Sequence, residues 1–253
     1  MDSVLRFSDR VENYVKYRPS YPAVALDYIA RESGLQAGAT VADIGAGTGI
    51  FTRLLLDRGY RVFAVEPSDD MRAVVEKDFG GNRLFESVAN PAEDTGLEPN
   101  SVDLVTAAQA FHWFDIPRYR AECQRILKPK GWAAILWNNR QTESTAFLGE
   151  YNQLLRELAN DYKIVDHNLV SPEQIASFYG GDHFTYTTFP NRQVFDWDGF
   201  LGRALSSSYV PMLGHPNYES MVAGLRDIFD RYQTDGQVVF EYDTEVYLGQ
   251  LVG

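Results

Sequence analysis

The chain has 253 residues, 45% hydrophobic and 23% charged, which suits one domain with a cap or insertion. Its net charge of -12 argues against wrapping a nucleic-acid backbone or docking on an anionic membrane. The lone cysteine, Cys123, excludes an intrachain disulfide and a cysteine-built zinc site.

Residues Met1 to Arg6 lack the long apolar core of a secretory signal, and no apolar run approaches a membrane span. The expectation is a cytoplasmic protein. Phe7, Val11, Tyr14 and Val15 share a helical face, with Ser8 as a plausible N-cap. Tyr17 to Pro22 holds two prolines and two tyrosines and reads as a rigid aromatic loop. Pro22 opens a helix that runs to Ser33, and Gly34 ends it.

The chain is organised around Val41-Ala42-Asp43-Ile44-Gly45-Ala46-Gly47-Thr48-Gly49. A short apolar run ends in three alternate glycines, and a helical face of Ile50, Phe51, Leu54 and Leu55 follows. Gly59 sits where that helix would stop. This is strand, tight turn, helix, with glycines that permit positive φ and close approach to a ligand. A dinucleotide fingerprint is G-x-G-x-x-G. Here the third glycine comes one residue early, and Ile50 stands in its place. Asp43, two residues before Gly45, would repel a pyrophosphate and suit a cationic ligand. S-adenosylmethionine carries a sulfonium and an ammonium and no phosphate.

Arg61 to Val65 reads as the second strand, ending in Glu66. That is the spacing at which an acid meets ribose hydroxyls. Pro67 follows, and Ser68 to Met71 reads as a helix start, with Met71 either covering an adenine or packing in the core. Residues 82–88 and 101–107 read as the third and fourth strands. Ala108 and Gln109 then fall at a strand end, where doubly wound folds bind ligands.

Gln109 to Phe114 is rich in aromatic groups and reads as a packed wall. His112 is either a general base near its natural pKa or a packing histidine. Trp113 lines a pocket or the core. Pro117 opens a helix that ends near Leu127, and a fifth strand runs from Trp132 to Trp137. Arg140, just past it, is a candidate for binding an acidic substrate. From about 143 to 235 the pattern is mostly helical, interrupted by a strand at His183 to Phe189. Val238 to Leu248 reads as a closing strand. Ser208 and Tyr209, within a polar run ending at Pro211, are candidates for substrate contact. His167, His183 and His215 read as structural, and no metal site is supported.

These motifs carry a family resemblance. Asp43 to Gly49, with Glu66 after the second strand, resembles the class I S-adenosylmethionine-dependent methyltransferases. Ala92-Glu93, Asp103-Leu104-Val105 and Arg125 to Gly131 look like that family's later motifs. Tyr14 to Pro22 and Gln109 to Phe114 are similar to a small-molecule branch that includes trans-aconitate methyltransferase-like proteins. Lys130 departs from the pattern, since relatives often have glycine there.

The resemblance implies an α/β fold with a doubly wound, Rossmann-like seven-stranded sheet, mostly parallel with an antiparallel edge strand, plus a helical cap. It divides the chain into an N-terminal lid (1–21), a cofactor-binding core (22–140), a cap (141–236, including the strand near 183–189) and a closing strand (237–253). Tyr14 and Arg18 would belong to the lid, Arg18 clamping the methionine carboxylate. Ala92 and Glu93 would lie at the adenine ring. The expected reaction is methyl transfer to a small-molecule acceptor, such as a carboxylate or hydroxyl oxygen. A nicotinamide-dependent oxidoreductase and a non-catalytic S-adenosylmethionine-binding protein are the alternatives.

Overall fold

The computed structural model describes residues 16–160 and 170–251. Phe7, Ser8, Val11, Tyr14, Val15 and His167 lie outside them. The first half comprises α1 (Ala23–Ser33), β1 (Thr40–Ile44), α2 (Ile50–Leu56), β2 (Arg61–Val65), α3 (Asp69–Phe79), β3 (Phe85–Val88) and β4 (Val102–Ala108). Then come α4 (Ile116–Ile126), β5 (Leu127–Arg140), α5 (Ala146–Leu158), α6 (Pro172–Tyr179), β6 (Phe184–Phe195), α7 (Trp197–Leu205), α8 (Tyr218–Tyr232) and β7 (Val238–Gly249).

The central strands are mostly apolar, as strands covered on both faces must be. Alternation sorts their side chains into two layers. Val41, Leu104, Ala134 and Leu136 face α1, α2 and α3 in one buried cluster. Ala42, Val105, Ala133 and Ile135 face α4 and α6 in another. The strand order is β3-β2-β1-β4-β5-β7-β6. β7 runs antiparallel to both its neighbours, while β1 to β5 pair in parallel. The antiparallel strand therefore lies one place in from the edge, and β6 forms the edge itself.

Two strands outrun their sequence boundaries. β5 begins at Leu127 rather than Trp132, because a register shift between Val102 and Leu104 accommodates Lys128 to Gly131. β6 runs on to Phe195, because β7 pairs with it along its whole length. Pro190 fits there since an edge strand can spare an N–H. The Gln109 to Phe114 wall contains a single 3-10 turn, Phe111–Trp113.

The cap has its own core. Phe147 and Tyr151 of α5, Phe200 of α7, and Met221 and Leu225 of α8 pack with Phe240 and Tyr242 of β7. Tyr242 pairs with Arg140 at the carboxyl end of β5. The cap thus stands beside the carboxyl ends of the parallel strands, where an open α/β sheet binds its ligands. Among the described residues, no helix is long and apolar enough to cross a membrane.

Candidate functional site

The turn after β1 uses its three glycines differently. Gly45, Gly47 and Gly49 have φ of 69, 56 and 83°, values that a side chain opposes. A Cβ on Gly45 would lie 2.6 Å from Ala110 Cβ, and one on Gly49 would lie 2.5 Å from Val75 Cγ2. Those two permit close packing inside the protein. A Cβ on Gly47 would meet nothing within 4 Å, so its open side faces the cleft.

That cleft measures about 630 Å³, counting the solvent at its mouth. Its floor is the turn with Asp43, and Ala108, Gln109 and Asn138 form a wall. Arg18, Tyr21, Phe51 and Arg203 close it further. Gln109 holds φ of 60°, a conformation uncommon for a residue with a side chain. It is fixed from two sides: its N–H donates to Leu136 O at 2.8 Å, and its Oε1 accepts from Asn138 N at 2.8 Å.

Asp43 is fully buried. Thr52 Oγ1 donates to its carboxylate at 2.7 Å and Thr106 Oγ1 at 2.8 Å. Burial nonetheless pushes its pKa up to about 6, against those hydrogen bonds, and nearby Glu66 adds to the rise. A buried carboxylate beside an open cleft favours a cation above it. Glu66 is also buried, and burial raises its pKa. Its Oε2 accepts from Gly47 N and its Oε1 from Ser68 N, each at 2.9 Å. Each carboxylate oxygen retains a lone pair for a ligand hydroxyl. Ser68 also caps α3 by accepting from Met71 N.

The remaining candidates stand apart from the cleft wall. Pro67 is exposed, while Met71 and Ala92 are buried. Glu93 Oε1 accepts from Asp115 N at 2.8 Å. His112 Nδ1 faces Trp137 Nε1 at 3.5 Å and its ring tilts against Trp113. Arg140 lies over the Tyr151 ring at 4.9 Å and donates to Asn152 Oδ1 at 3.4 Å. Ser208 is half-buried. The Tyr209 phenol is pulled in two directions. Burial raises its pKa, but Arg140, Arg203 and Arg18 bring it below the usual value.

The N-terminal segment joins the cap to the sheet. Arg18 Nη2 donates to Ser206 O at 3.0 Å, and Gln193 Nε2 donates to Tyr17 O at 3.1 Å. Asn138 and Asn191 both donate to Ser20 O.

Cleft residues outside the sequence candidates include Thr48, Phe51, Asn138 and Arg203. Thr48 Oγ1 is buried and has no hydrogen-bond partner among the described residues. Arg203 is 4% exposed. The one sequence signal for it is a charge on an apolar helical face, flanked by Phe200 and Ala204.

These features fit S-adenosylmethionine: an open glycine, a buried acid for a cation, an acid for ribose and an orphaned hydroxyl. Residues 42–135 match the methyltransferase domain family. An uncharacterised methyltransferase of Mycobacterium tuberculosis is 34% identical over 202 residues, 79% of this chain and 73% of that protein. The chain is a class I S-adenosylmethionine-dependent methyltransferase. An uncharacterised methyltransferase-like protein of Schizosaccharomyces pombe is 28% identical over 247 residues, 95% of this chain and 93% of that one. In structure the methyltransferase resembles a putative type II methyltransferase from Anaeromyxobacter dehalogenans, with a TM-score of 0.67 and 22% identity. That match covers 93% of this chain and 99% of the other. Family membership sets aside the nicotinamide reading.

Proposed function

We propose that this methyltransferase acts on a small molecule and methylates an oxygen, of a carboxylate or a hydroxyl. The observation that carries the reading is the roof. Residues 17–20 and the cap are bonded to each other and to the sheet over the cleft. What space is left suits a cofactor and a compact acceptor rather than a macromolecule. The net charge of -12 fits the same reading.

When bound, S-adenosylmethionine supplies an electrophilic methyl group on a sulfonium. The chain's residues hold and orient. Glu66 would take the ribose hydroxyls, with Met71, Ala92 and Glu93 on the adenine side. Asp43 would lie under the positive end of the cofactor, and Arg18 would take its carboxylate, with Tyr14 on the same segment. With the cofactor bound, the roof would exclude water, which strengthens every charge interaction beneath it. Catalysis then rests mainly on alignment of the reacting atoms. For a hydroxyl acceptor, His112 is the candidate to accept the proton at a ring nitrogen. For a carboxylate acceptor no proton moves. Trp113, Arg140, Ser208 and Tyr209 would form the acceptor's side of the site.

The test is incubation with methyl-labelled S-adenosylmethionine and a fractionated metabolite extract. Label recovered in a small, base-labile product supports a carboxylate, and in a base-stable ether a hydroxyl. Label found only in protein or nucleic acid would refute the reading.

A further inference from the structure

Arg203 is placed where a surface arginine never is. It sits on α7 with Phe200 and Ala204 in the cap core, almost wholly out of water. Nε donates to Tyr242 Oη at 3.1 Å and Nη1 to Ser207 Oγ at 3.1 Å. Both partners are neutral hydroxyls. Nη2 donates to no described residue, and the residue walls the cleft. No ion pair among the described residues includes it. Burial opposes its charge, yet the phenols of Tyr242, Tyr151 and Tyr209 hold its pKa above the ordinary arginine value.

A guanidinium stays protonated at any accessible pH. Buried without a counter-charge, it is costly, and an anion would relieve that cost. The hydroxyls of Tyr242 and Ser207 fix two of its nitrogens and leave its fork directed by the protein rather than by the ligand. Tyr242 Oη in turn donates to Gln193 Oε1 at 2.9 Å, so the support extends into β6. A planar cation held in this way matches a carboxylate.

Resting on the methyltransferase reading above, we propose that Arg203 is the receptor for a carboxylate on the methyl acceptor, and that the acceptor is therefore a small organic acid. Two carboxylates can reach this cleft, the acceptor's and the cofactor's own. Among the described residues the cleft wall contains two arginines, Arg18 from the N-terminal segment and Arg203 from the cap. The cofactor carries one carboxylate, so a second anion matches the second cation. Arg203 belongs to the cap, on the side of Tyr209 and Arg140, rather than to the glycine turn. Arg140 and Tyr209 border the same charge cluster, which Arg18 also joins.

The experiment uses calorimetry on wild type, Arg203→Gln and Arg203→Lys. Each is titrated with S-adenosylhomocysteine and with 5′-methylthioadenosine, which lacks the amino-acid end. The S-adenosylhomocysteine-loaded proteins are then titrated with a series of carboxylates from acetate through succinate to benzoate, and with the matching amides. Wild type is expected to bind at least one carboxylate more tightly than its amide. Arg203→Gln should lose that preference by roughly ten- to a hundredfold, the range for a hydrogen bond to a charged group, and Arg203→Lys should recover part of it. Both variants should keep S-adenosylhomocysteine affinity, which also proves that they fold. If Arg203→Gln weakens S-adenosylhomocysteine but not methylthioadenosine, the residue serves the cofactor and the proposal is overturned. It is equally overturned if loaded wild type shows no preference for any carboxylate, or if Arg203→Gln leaves that preference intact. Failure of wild type to bind S-adenosylhomocysteine at all would instead refute the methyltransferase reading beneath it.

Discussion

The ring of Tyr17 lies where a side chain on Gly202 would be: a Cβ there would come within 2.1 Å of Tyr17 Cε2. Gly202 is inside helix α7, one residue before Arg203. The N-terminal segment therefore rests on helix backbone, and the glycine is what lets it approach.

This contact decides the sign of a substitution. In a free helix, Gly→Ala stabilises by about 1 kcal/mol. Here the added methyl meets an aromatic ring, and overpacking costs about 1–3 kcal/mol. Gly202→Ala should destabilise the wild type in urea denaturation and weaken S-adenosylhomocysteine binding. In a Tyr17→Ala background the same change should stabilise. Equal effects in both backgrounds would mean that Tyr17 does not dock on the helix.

Glu66 is expected to bind both ribose hydroxyls. Its oxygens are already aimed by Gly47 N and Ser68 N. Glu66→Ala should weaken S-adenosylhomocysteine by about 1.5–3 kcal/mol. Methylthioadenosine keeps the ribose and should lose as much. A loss confined to S-adenosylhomocysteine would place Glu66 at the amino-acid end instead.

Much of this was legible because it is local. Asp43, the glycines and Glu66 belong to one β1-α2-β2 unit, where a short stretch fixes both geometry and chemistry. The separate strands were legible for the same reason, since apolar runs are local signals, while their assembly into one doubly wound sheet was implied by the family resemblance. Arg203 was not. Apart from Ser207, its partner is Tyr242 of β7, and only the packing of cap on sheet brings the two together. The extent of β6 was hidden likewise, because it depends on pairing with β7.

Asp43 is expected to make cofactor binding depend on pH. Its pKa in the folded chain is raised from 3.8 to about 6. A raised carboxyl binds more protons folded than unfolded between those values, so its contribution falls as pH rises through about 6. The decline is of order 1–3 kcal/mol, and Asp43→Asn should abolish that slope in chemical denaturation. A sulfonium near Asp43 would favour the ionised form. The affinity ratio of S-adenosylmethionine to S-adenosylhomocysteine should therefore rise as pH climbs from about 5 to 7. A flat ratio would remove Asp43 from the neighbourhood of the sulfur.

Lys130 occupies a position that suits glycine, with φ of 68°. The left-handed conformation costs a residue with a Cβ roughly 1 kcal/mol. Lys130→Gly should raise stability by about 0.5–1 kcal/mol, a shift of roughly 1–4 °C in Tm for a chain of this size. It lies far from the cleft, so methyl-transfer rates should not change. A fall in Tm would mean that the Lys130 side chain contributes more than its backbone costs.

His112 and Arg140 separate the two kinds of acceptor. A hydroxyl must lose a proton, and removing its base costs about 10²-fold or more in kcat. A carboxylate is already ionised at neutral pH and needs a cation to orient it. His112 stands outside the cleft wall with Nδ1 toward Trp137. Arg140 borders the charge cluster that holds Arg203 and Tyr209. With an organic acid as acceptor, His112→Ala should change kcat by less than about tenfold. It should also leave the pH profile of kcat without a lost limb near the histidine pKa. Arg140→Ala should chiefly raise KM for the acceptor while leaving KM for S-adenosylmethionine in place. The reverse pattern, a kcat collapse in His112→Ala with Arg140→Ala silent, would assign the reaction to a hydroxyl acceptor with His112 as its base.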